Sequence, residues 1–294
     1  ILLSSICTYF ISRQALLPLR RLSQEVNQIE VQNLSEALEV PATNDEISRL
    51  TISFNKMLAR LDEAFTAQKQ FSANAAHELR TPLAVIQTNL EVFARREAPA
   101  LKDYQEIFAM LQEQTGRLSH LAEILLDMTG VQTVERSERI SLAALTDEVF
   151  CDLASVAEQK DVELIQQEGD CIITGSYLLL YRAVYNLVEN AIKYNHSGGK
   201  VTVNIHLSEE ITDTSTSDNY AFLEVSDTGI GIPPEYQEKI FTPFFRVDKS
   251  RSRAMGGAGL GLALVSEIVR QHNGQVKVLE SSKKGSVIAI MLPV

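Results

Sequence analysis

Four stretches of the chain set reactive or ligand-binding side chains at spacings that chemistry can use. In FSANAAHELRTPL, residues 71–83, His77 precedes Leu79 of an apolar stripe by two positions. On a helix turning about 100° per residue its imidazole then stands ~160° from that stripe, free to meet another molecule. Glu78 follows directly, and Thr81 lies over the same face one turn on. Pro82 removes a backbone donor and is expected to bend the helix just after this turn. An HExxH zinc site is excluded, because Thr81 stands where the second histidine would be. A lone histidine equally fits an ordinary surface role, and His120, His196, His206 and His272 are read in that way.

The second stretch is NLVENAIKY, residues 186–194. On a helix Asn186 and Asn190 share a face, with Glu189 and Lys193 adjacent. Amide and carboxylate oxygens suit Mg²⁺, and Lys193 can meet a phosphate as a point charge. The same polar side chains also suit a solvent-facing strip. In VSDTGIGIP, residues 225–233, a strand ends on Asp227 and runs into Gly229 and Gly231. An aspartate there can accept a hydrogen bond from an exocyclic amine, and glycine admits a ligand close to the backbone; a plain hairpin turn has the same composition. In GGAGLGLALV, residues 256–265, glycines run into a helix whose bare N-terminal amides form an anion site. No GxGxxG register fits it, so a Rossmann reading fails. Between the last two lies IFTPFFRVDKSRSR, an apolar knot followed by basic residues, which reads as a lid over a ligand.

The elements that must carry these residues are set by periodicity. The segment DEISRLTISFNKMLARLDEAF keeps a narrow stripe through Ile47, Leu50, Phe54, Met57 or Leu58, and Leu61, with Asn44 or Asp45 as N-cap and Glu46 in the first turn. The stripe continues through Phe71, Ala75, Leu79, Leu83, Ile86, Leu90 and Phe93 until Pro99. A second amphipathic helix spans 101–128. Such a hairpin cannot enclose its own stripe, so pairing with a second copy as a four-helix bundle is expected. Residues 129–140 lose the stripe and read as a linker. Beyond them come helices at 142–159, 177–194 and 259–272, and strands near 162–165, 171–174, 200–207, 221–226, 275–280 and 286–292. These describe an α+β sandwich with helices over one face of a sheet. EEITDTSTSDNY reads as a surface loop between paired strands.

The 294 residues are 45% hydrophobic and 22% charged, enough for packed cores. A net charge of −11 argues against a nucleic-acid-coating protein. Cys7, Cys151 and Cys171 form neither a disulfide framework nor a CxxC site. Residues 1–12 carry no charge and are succeeded by Arg13, Arg20 and Arg21. That is the pattern of the inner end of a truncated membrane span, with the remainder of the chain on the cytoplasmic side.

Together the four motifs resemble the transmembrane sensor histidine kinases of two-component systems. The implied organisation is the end of a truncated transmembrane helix at 1–14, a HAMP-like linker at 15–66, a dimerisation and histidine-phosphotransfer hairpin at 67–129, a linker at 130–140, and a Bergerat-type ATP-binding domain at 141–294. The resemblance makes His77 the phospho-acceptor, Glu78 the acid or base beside it, and Thr81 the residue that positions a water for dephosphorylating the partner. Asn190 matches the Mg²⁺ ligand, assisted by Asn186, with Lys193 near phosphate and Tyr194 against the nucleotide. Asp227 corresponds to the reader of the adenine amino group, with Gly229 and Gly231 lining the pocket. Phe241, Pro243 and Phe244 match the F box, and Gly257, Gly259, Leu260 and Gly261 the second glycine box. The last glycine box departs from the pattern, because KKGSV supplies only Gly285. ATP and Mg²⁺ are the implied cofactors. The implied partners are a response regulator's receiver domain, a second copy, and the cell membrane, with no nucleic acid. Three rivals remain at this point: an ATPase of the chaperone, gyrase or mismatch-repair kind, a scaffold that does not bind ATP, and a protein acting mainly as its partner's phosphatase.

Overall fold

The computed structural model describes residue 22 and residues 37–41, 46–130, 134–210, 218–247 and 258–294. The expected membrane-span end, the first helix of the linker module, the Asn44/Asp45 cap, Gly257, residues 248–253 of the lid and 211–217 of the polar loop lie outside these residues. No helix among the described residues is long and apolar enough to cross a membrane.

The chain divides into two units, Ile1–Asn74 and Ala75–Val294. In the first, Leu22, Leu38 and Leu58 form a small core flanked by Ile47 and Phe54. Asn55 fixes the extended residue Leu38 by accepting from its N–H and donating to its carbonyl, both at 2.9 Å. A neighbouring tie runs from the Ser48 hydroxyl to the Pro41 carbonyl at 2.8 Å. These bonds satisfy the backbone of a connector that has no ladder of its own.

Helix α1 runs Glu46–Ala94 through Pro82, and α2 runs Leu101–Gly130. Helix α1 stops five residues ahead of Pro99, the residue expected to break it. The turn is pinned by the Phe93 and Tyr104 rings, edge-on at 5.0 Å, and by an Arg96–Asp103 ion pair. Asp103 also accepts from the Ala100 N–H at 2.8 Å, capping α2. That bond, with Arg96 helping, holds its carboxyl below the usual carboxylate range. Leu83, Leu90, Leu101, Phe108 and Leu126 remain exposed on the hairpin.

The rest of the second unit is the α+β domain: β1 (Glu138–Ser141), α3 (Leu142–Lys160), β2 (Val162–Gln166), β3 (Ile172–Gly175), α4 (Tyr177–Lys193), β4 (Gly199–Glu210), β5 (Asp218–Asp227), two 3-10 turns (Pro234–Tyr236 and Lys239–Phe241), α5 (Gly261–Gln271), β6 (Gln275–Ser282) and β7 (Gly285–Pro293). Five strands form one sheet in the order β2-β4-β5-β7-β6, and β1 pairs with β3 in a separate ribbon. Only β2 and β4 are parallel. Residues 138–140, read from the sequence as linker, therefore belong to the domain: Glu138 faces Gly175 and Ile140 faces Ile173, which is buried. The alternation of Val201, Val203 and Ile205 on β4 and Ala221, Leu223 and Val225 on β5 buries one face under the helices. Leu145 and Leu153 of α3, Leu180 and Leu187 of α4 and Leu264 of α5 complete that core.

Caps fix where the helices start. Ser141 accepts from the Ala144 N–H at 3.1 Å, and Asp170 backs it by accepting from the Ala143 N–H at 3.0 Å. Ser176 caps α4 through the Leu179 N–H. His272, read from sequence as a surface residue, is buried: its Nε2 accepts from the Ser176 N–H at 3.1 Å, which leaves Nδ1–H to donate to the Ile268 carbonyl at 2.8 Å. Period-3.6 counting put it at the last position of an apolar helix, and could not show that the ring turns back into the core.

Candidate active site

Helix α4 is amphipathic in an unusual sense, because part of its polar strip faces protein. Asn186 is buried and donates from Nδ2 to the Arg182 carbonyl at 2.8 Å. A side chain on Gly261 would place its Cβ 2.5 Å from Asn186 Oδ1 and 3.6 Å from Asn190 Nδ2. The asparagine face of α4 thus abuts the first residue of α5. Leu260, the buried N-cap of α5, supplies no side-chain capping bond, so the first-turn N–H groups keep their donor capacity for an anion.

Lys193 ends α4. Burial pulls its ammonium below the ordinary lysine value, Glu189 opposes this, and the cations Arg246, Lys160 and Arg117 push the same way as burial. Lys160 donates to the Lys193 carbonyl. Tyr194, the C-cap, accepts on its carbonyl from the Ile230 N–H at 3.3 Å, bringing the glycine-containing turn after β5 onto the end of α4.

Asp227 closes β5, opposite Val201 on β4 and Ser286 on β7. Burial raises its carboxyl above the usual range, against N–H groups of Gly229 and Ser286 that favour the anion. The Gly229 bond measures 2.7 Å. Gly231 has φ 71° and presses on the Ser282 carbonyl, where a side chain has neither room nor a relaxed backbone. The lone glycine of KKGSV has a clear place as well: Gly285, φ 129°, lies against the Asp227 carbonyl.

The F-box segment and the second glycine segment are joined by the Phe244 N–H, which donates to the Gly259 carbonyl at 2.8 Å. Both residues have positive φ, 64° and 73°. Phe241 ends the second 3-10 turn, Pro243 comes two residues later, and the Phe245 ring lies 5.6 Å from that of Tyr236.

Two features escaped the sequence reading. Arg246 comes directly after the Phe pair, and its Nε and Nη2 are buried without a hydrogen-bond partner among the described residues. Thr228 is anchored: its hydroxyl donates to Asn195 Oδ1 at 3.0 Å and accepts from the Lys200 N–H at 2.9 Å, holding the Asp227 turn to the end of α4. The charge directly after FF in FTPFFRV was a visible signal for Arg246; Thr228 and Asn195 carried none.

His77 lies exposed on α1, with Glu78 half-buried beside it and the Thr81 hydroxyl donating to the His77 carbonyl at 3.1 Å. No cluster of three His, Cys, Asp or Glu residues suited to a metal occurs among the described residues. The amide oxygens of Asn186 and Asn190, at the end of a phosphate-ready helix, fit an ion that takes few protein oxygens and completes its shell with phosphate and water.

Residues 10–63 match the HAMP domain, 67–133 the His Kinase A (phospho-acceptor) domain, and 175–294 the histidine kinase-, DNA gyrase B-, and HSP90-like ATPase. The sensor histidine kinase CusS of Escherichia coli K12 is 31% identical over 279 residues, 94% of this chain and 56% of that protein. The signal transduction histidine-protein kinase ArlS of Staphylococcus aureus USA300 is 30% identical over 297 residues, 99% of this chain and 63% of that protein. The chain thus spans somewhat more than half the length of these relatives. Among solved structures, histidine kinase AdeS of Acinetobacter baumannii aligns with TM-score 0.55 at 23% identity, covering 74% of this chain and 97% of that one. Histidine kinase ThkA in complex with response regulator protein TrrA aligns with TM-score 0.60 at 22% identity, covering 85% and 68%. Both share its fold, a helical hairpin followed by an ATPase sheet. With three successive modules matched in order and relatives similar along nearly all its length, the chain belongs to the sensor histidine kinases of two-component signal transduction.

Proposed function

We propose that the protein is an ATP-dependent protein-histidine kinase that phosphorylates itself on His77 and passes the phosphoryl group to an aspartate of a response regulator. The observation that carries the reading is the apposition of the Asn186/Asn190 face to the uncapped start of α5 at Gly261, in a chain that also exposes His77 on a separate helix.

In this reading Asp227 accepts from the adenine amino group, and the turn through Gly229 and Gly231 lets the base approach the backbone. Tyr194 packs against the nucleotide. Phe241, Pro243 and Phe244 form the base of the lid, while Gly257, Gly259, Leu260 and Gly261 shape the phosphate end. Lys193 and Arg246 neutralise phosphate charge; the first is desolvated and the second has free guanidinium donors. Mg²⁺ held by Asn190 with Asn186 would neutralise charge gathering on the leaving phosphate oxygen. The unprotonated nitrogen of His77 donates its lone pair to the γ-phosphorus. The bond to the β–γ bridging oxygen breaks, and its electron pair leaves with ADP. Glu78 takes the proton from the other ring nitrogen. Such transfers depend mostly on positioning and charge stabilisation. Thr81, one turn past His77, supports a second activity, orienting a water that hydrolyses the regulator's phosphoaspartate.

The proposed organisation is a membrane-span end at 1–14, a HAMP linker at 15–66, a hairpin at 67–129 that pairs with a second copy, a linker from 130, and the ATPase domain. The chain belongs at the cell membrane, with residues after about 13 in the cytoplasm. ThkA, similar in fold, was crystallised with a response regulator, and the exposed Leu83, Leu90 and Phe108 support a bundle with a second copy. The test is a chase experiment. Label from γ-labelled ATP should enter the protein in an acid-labile, alkali-stable form and leave it when a receiver domain is added. Label that is stable to acid would overturn the reading.

A further inference from the structure

We propose that Arg117 of the hairpin is a further catalytic residue, whose guanidinium grips the terminal phosphoryl group of ATP bound to the same chain's ATPase domain as that group moves to His77. This rests on the reading of His77 and of the nucleotide site given above.

The geometry begins with an ion pair between Asp127 of α2 and Arg182 of α4. Asp127 is largely covered, with 16% of its side chain exposed, so the contact fixes one helix on the other. Arg117 lies ten residues before Asp127, and Lys193 eleven after Arg182, runs of about 15 and about 16 Å. Arg117 is among the cations that act on Lys193, and with the Asp127–Arg182 pair this makes the two helices antiparallel, with Arg117 level with Lys193.

The hairpin turn supplies the second register. From the Phe93–Tyr104 contact, sixteen residues back along α1 reach His77, and sixteen forward along α2 reach His120. Arg117 stands three residues before His120, hence within about one helical turn of the level of His77. One long side chain is therefore placed between the acceptor's level and the phosphate end of the pocket.

Charge points the same way. Lys193, Lys160, Arg246 and Arg117 gather in one region where Glu189 is the carboxylate that acts on Lys193, so cations outnumber it, and two guanidinium nitrogens of Arg246 are buried without partners among the described residues. Clustered like charges are unfavourable unless an anion joins them. Arg117 is engaged at 2.6 Å with Glu113 on its own helix, both side chains more than a third exposed. An exposed pair of that kind exchanges readily for phosphate, and guanidinium suits a phosphoryl group bidentately. In the transfer the bridging P–O bond breaks, the N–P bond forms at His77, and the oxygen's electron pair stays with ADP. Arg117 supplies hydrogen bonds to the non-bridging oxygens and exchanges no proton.

The test uses the 294-residue chain in detergent and compares wild type with Arg117→Ala, Arg117→Lys and Glu113→Gln. Two quantities are read: the single-turnover rate of labelling at saturating ATP, and the ratio of ATP to ADP affinity. Arg117→Ala should slow labelling on the order of tenfold or more. It should lower the preference for ATP while ADP binds as before, and Arg117→Lys should recover part of both. Glu113→Gln, which frees the guanidinium, should label at least as fast as wild type. A wild-type rate in Arg117→Ala, or an equal loss of ATP and ADP affinity, overturns the proposal. If wild type takes no label on His77, the acceptor reading fails, and the ATP-to-ADP ratio still decides whether Arg117 meets the terminal phosphate.

Discussion

Asp227 ends its strand with a carboxylate drawn out of water and two backbone N–H groups aimed at it, a costly placement unless a donor completes it. Asp227→Asn keeps one oxygen but turns the other acceptor into a donor. It should weaken ATP binding by about ten- to a hundred-fold, the worth of a charged hydrogen bond. Titration with a fluorescent ATP analogue measures this, and unchanged affinity would remove Asp227 from the site. His272 yields a second prediction. Burial, with Arg136 adding to it against the Ile268 bond, holds its ring below the ordinary value of 6.5, so the unfolded chain takes up the proton more readily than the folded one. The stability tied to the neutral ring is complete above pH 6.5 and is lost as pH falls through the depressed folded value. The melting temperature should therefore drop on acidification below that point, and His272→Gln should melt lower at pH 8 with a flatter acid slope. The residue types at His77, Asn190 and Asp227 were legible in the sequence because each sits in a short run with its partners. His272 was not, since its surroundings come from segments far apart in the chain, and for Arg246 the charge after the Phe pair was the one signal.

At the scale of elements, the site depends on close approaches of backbone that only glycine permits. Gly285 is one such position, with its positive φ and its contact on the Asp227 carbonyl. Gly285→Ala should destabilise the fold by more than about 1 kcal/mol and weaken nucleotide binding, since the strand end carrying Asp227 must shift. Denaturant midpoints and nucleotide titrations check the two effects separately. Gly261→Ala should act differently: its Cβ meets the end of a side chain, Asn186, so stability changes little while Mg²⁺-dependent nucleotide affinity falls. Amphipathic periodicity gave α3, α4 and α5 to within a residue or two, because each packs one apolar face on the sheet, but overran the end of α1. It failed at β1, four residues whose pairing with β3 rests on contacts across the chain rather than on alternation. The order β2-β4-β5-β7-β6 was equally out of reach, because local pattern carries no information on which strands become neighbours.

At the scale of the whole molecule, the hairpin leaves apolar side chains that one chain does not cover, Leu83 at 53% exposure and Phe108 at 66% among them. A dimer is the expected state. Leu83→Glu with Leu90→Glu should yield a monomer by sedimentation, while the ATPase domain keeps its nucleotide affinity. The central claim is that His77 receives the γ-phosphate through the site built by α4, β5 and α5. The most direct measurement incubates the chain with γ-labelled ATP and Mg²⁺ beside His77→Gln and Asn190→Ala, with nucleotide binding measured separately. Acid-labile label is expected on wild type, none on His77→Gln despite intact ATP binding, and a severe loss on Asn190→Ala. Equal label on wild type and His77→Gln would contradict the claim, because the phosphoryl group would then have gone to another residue.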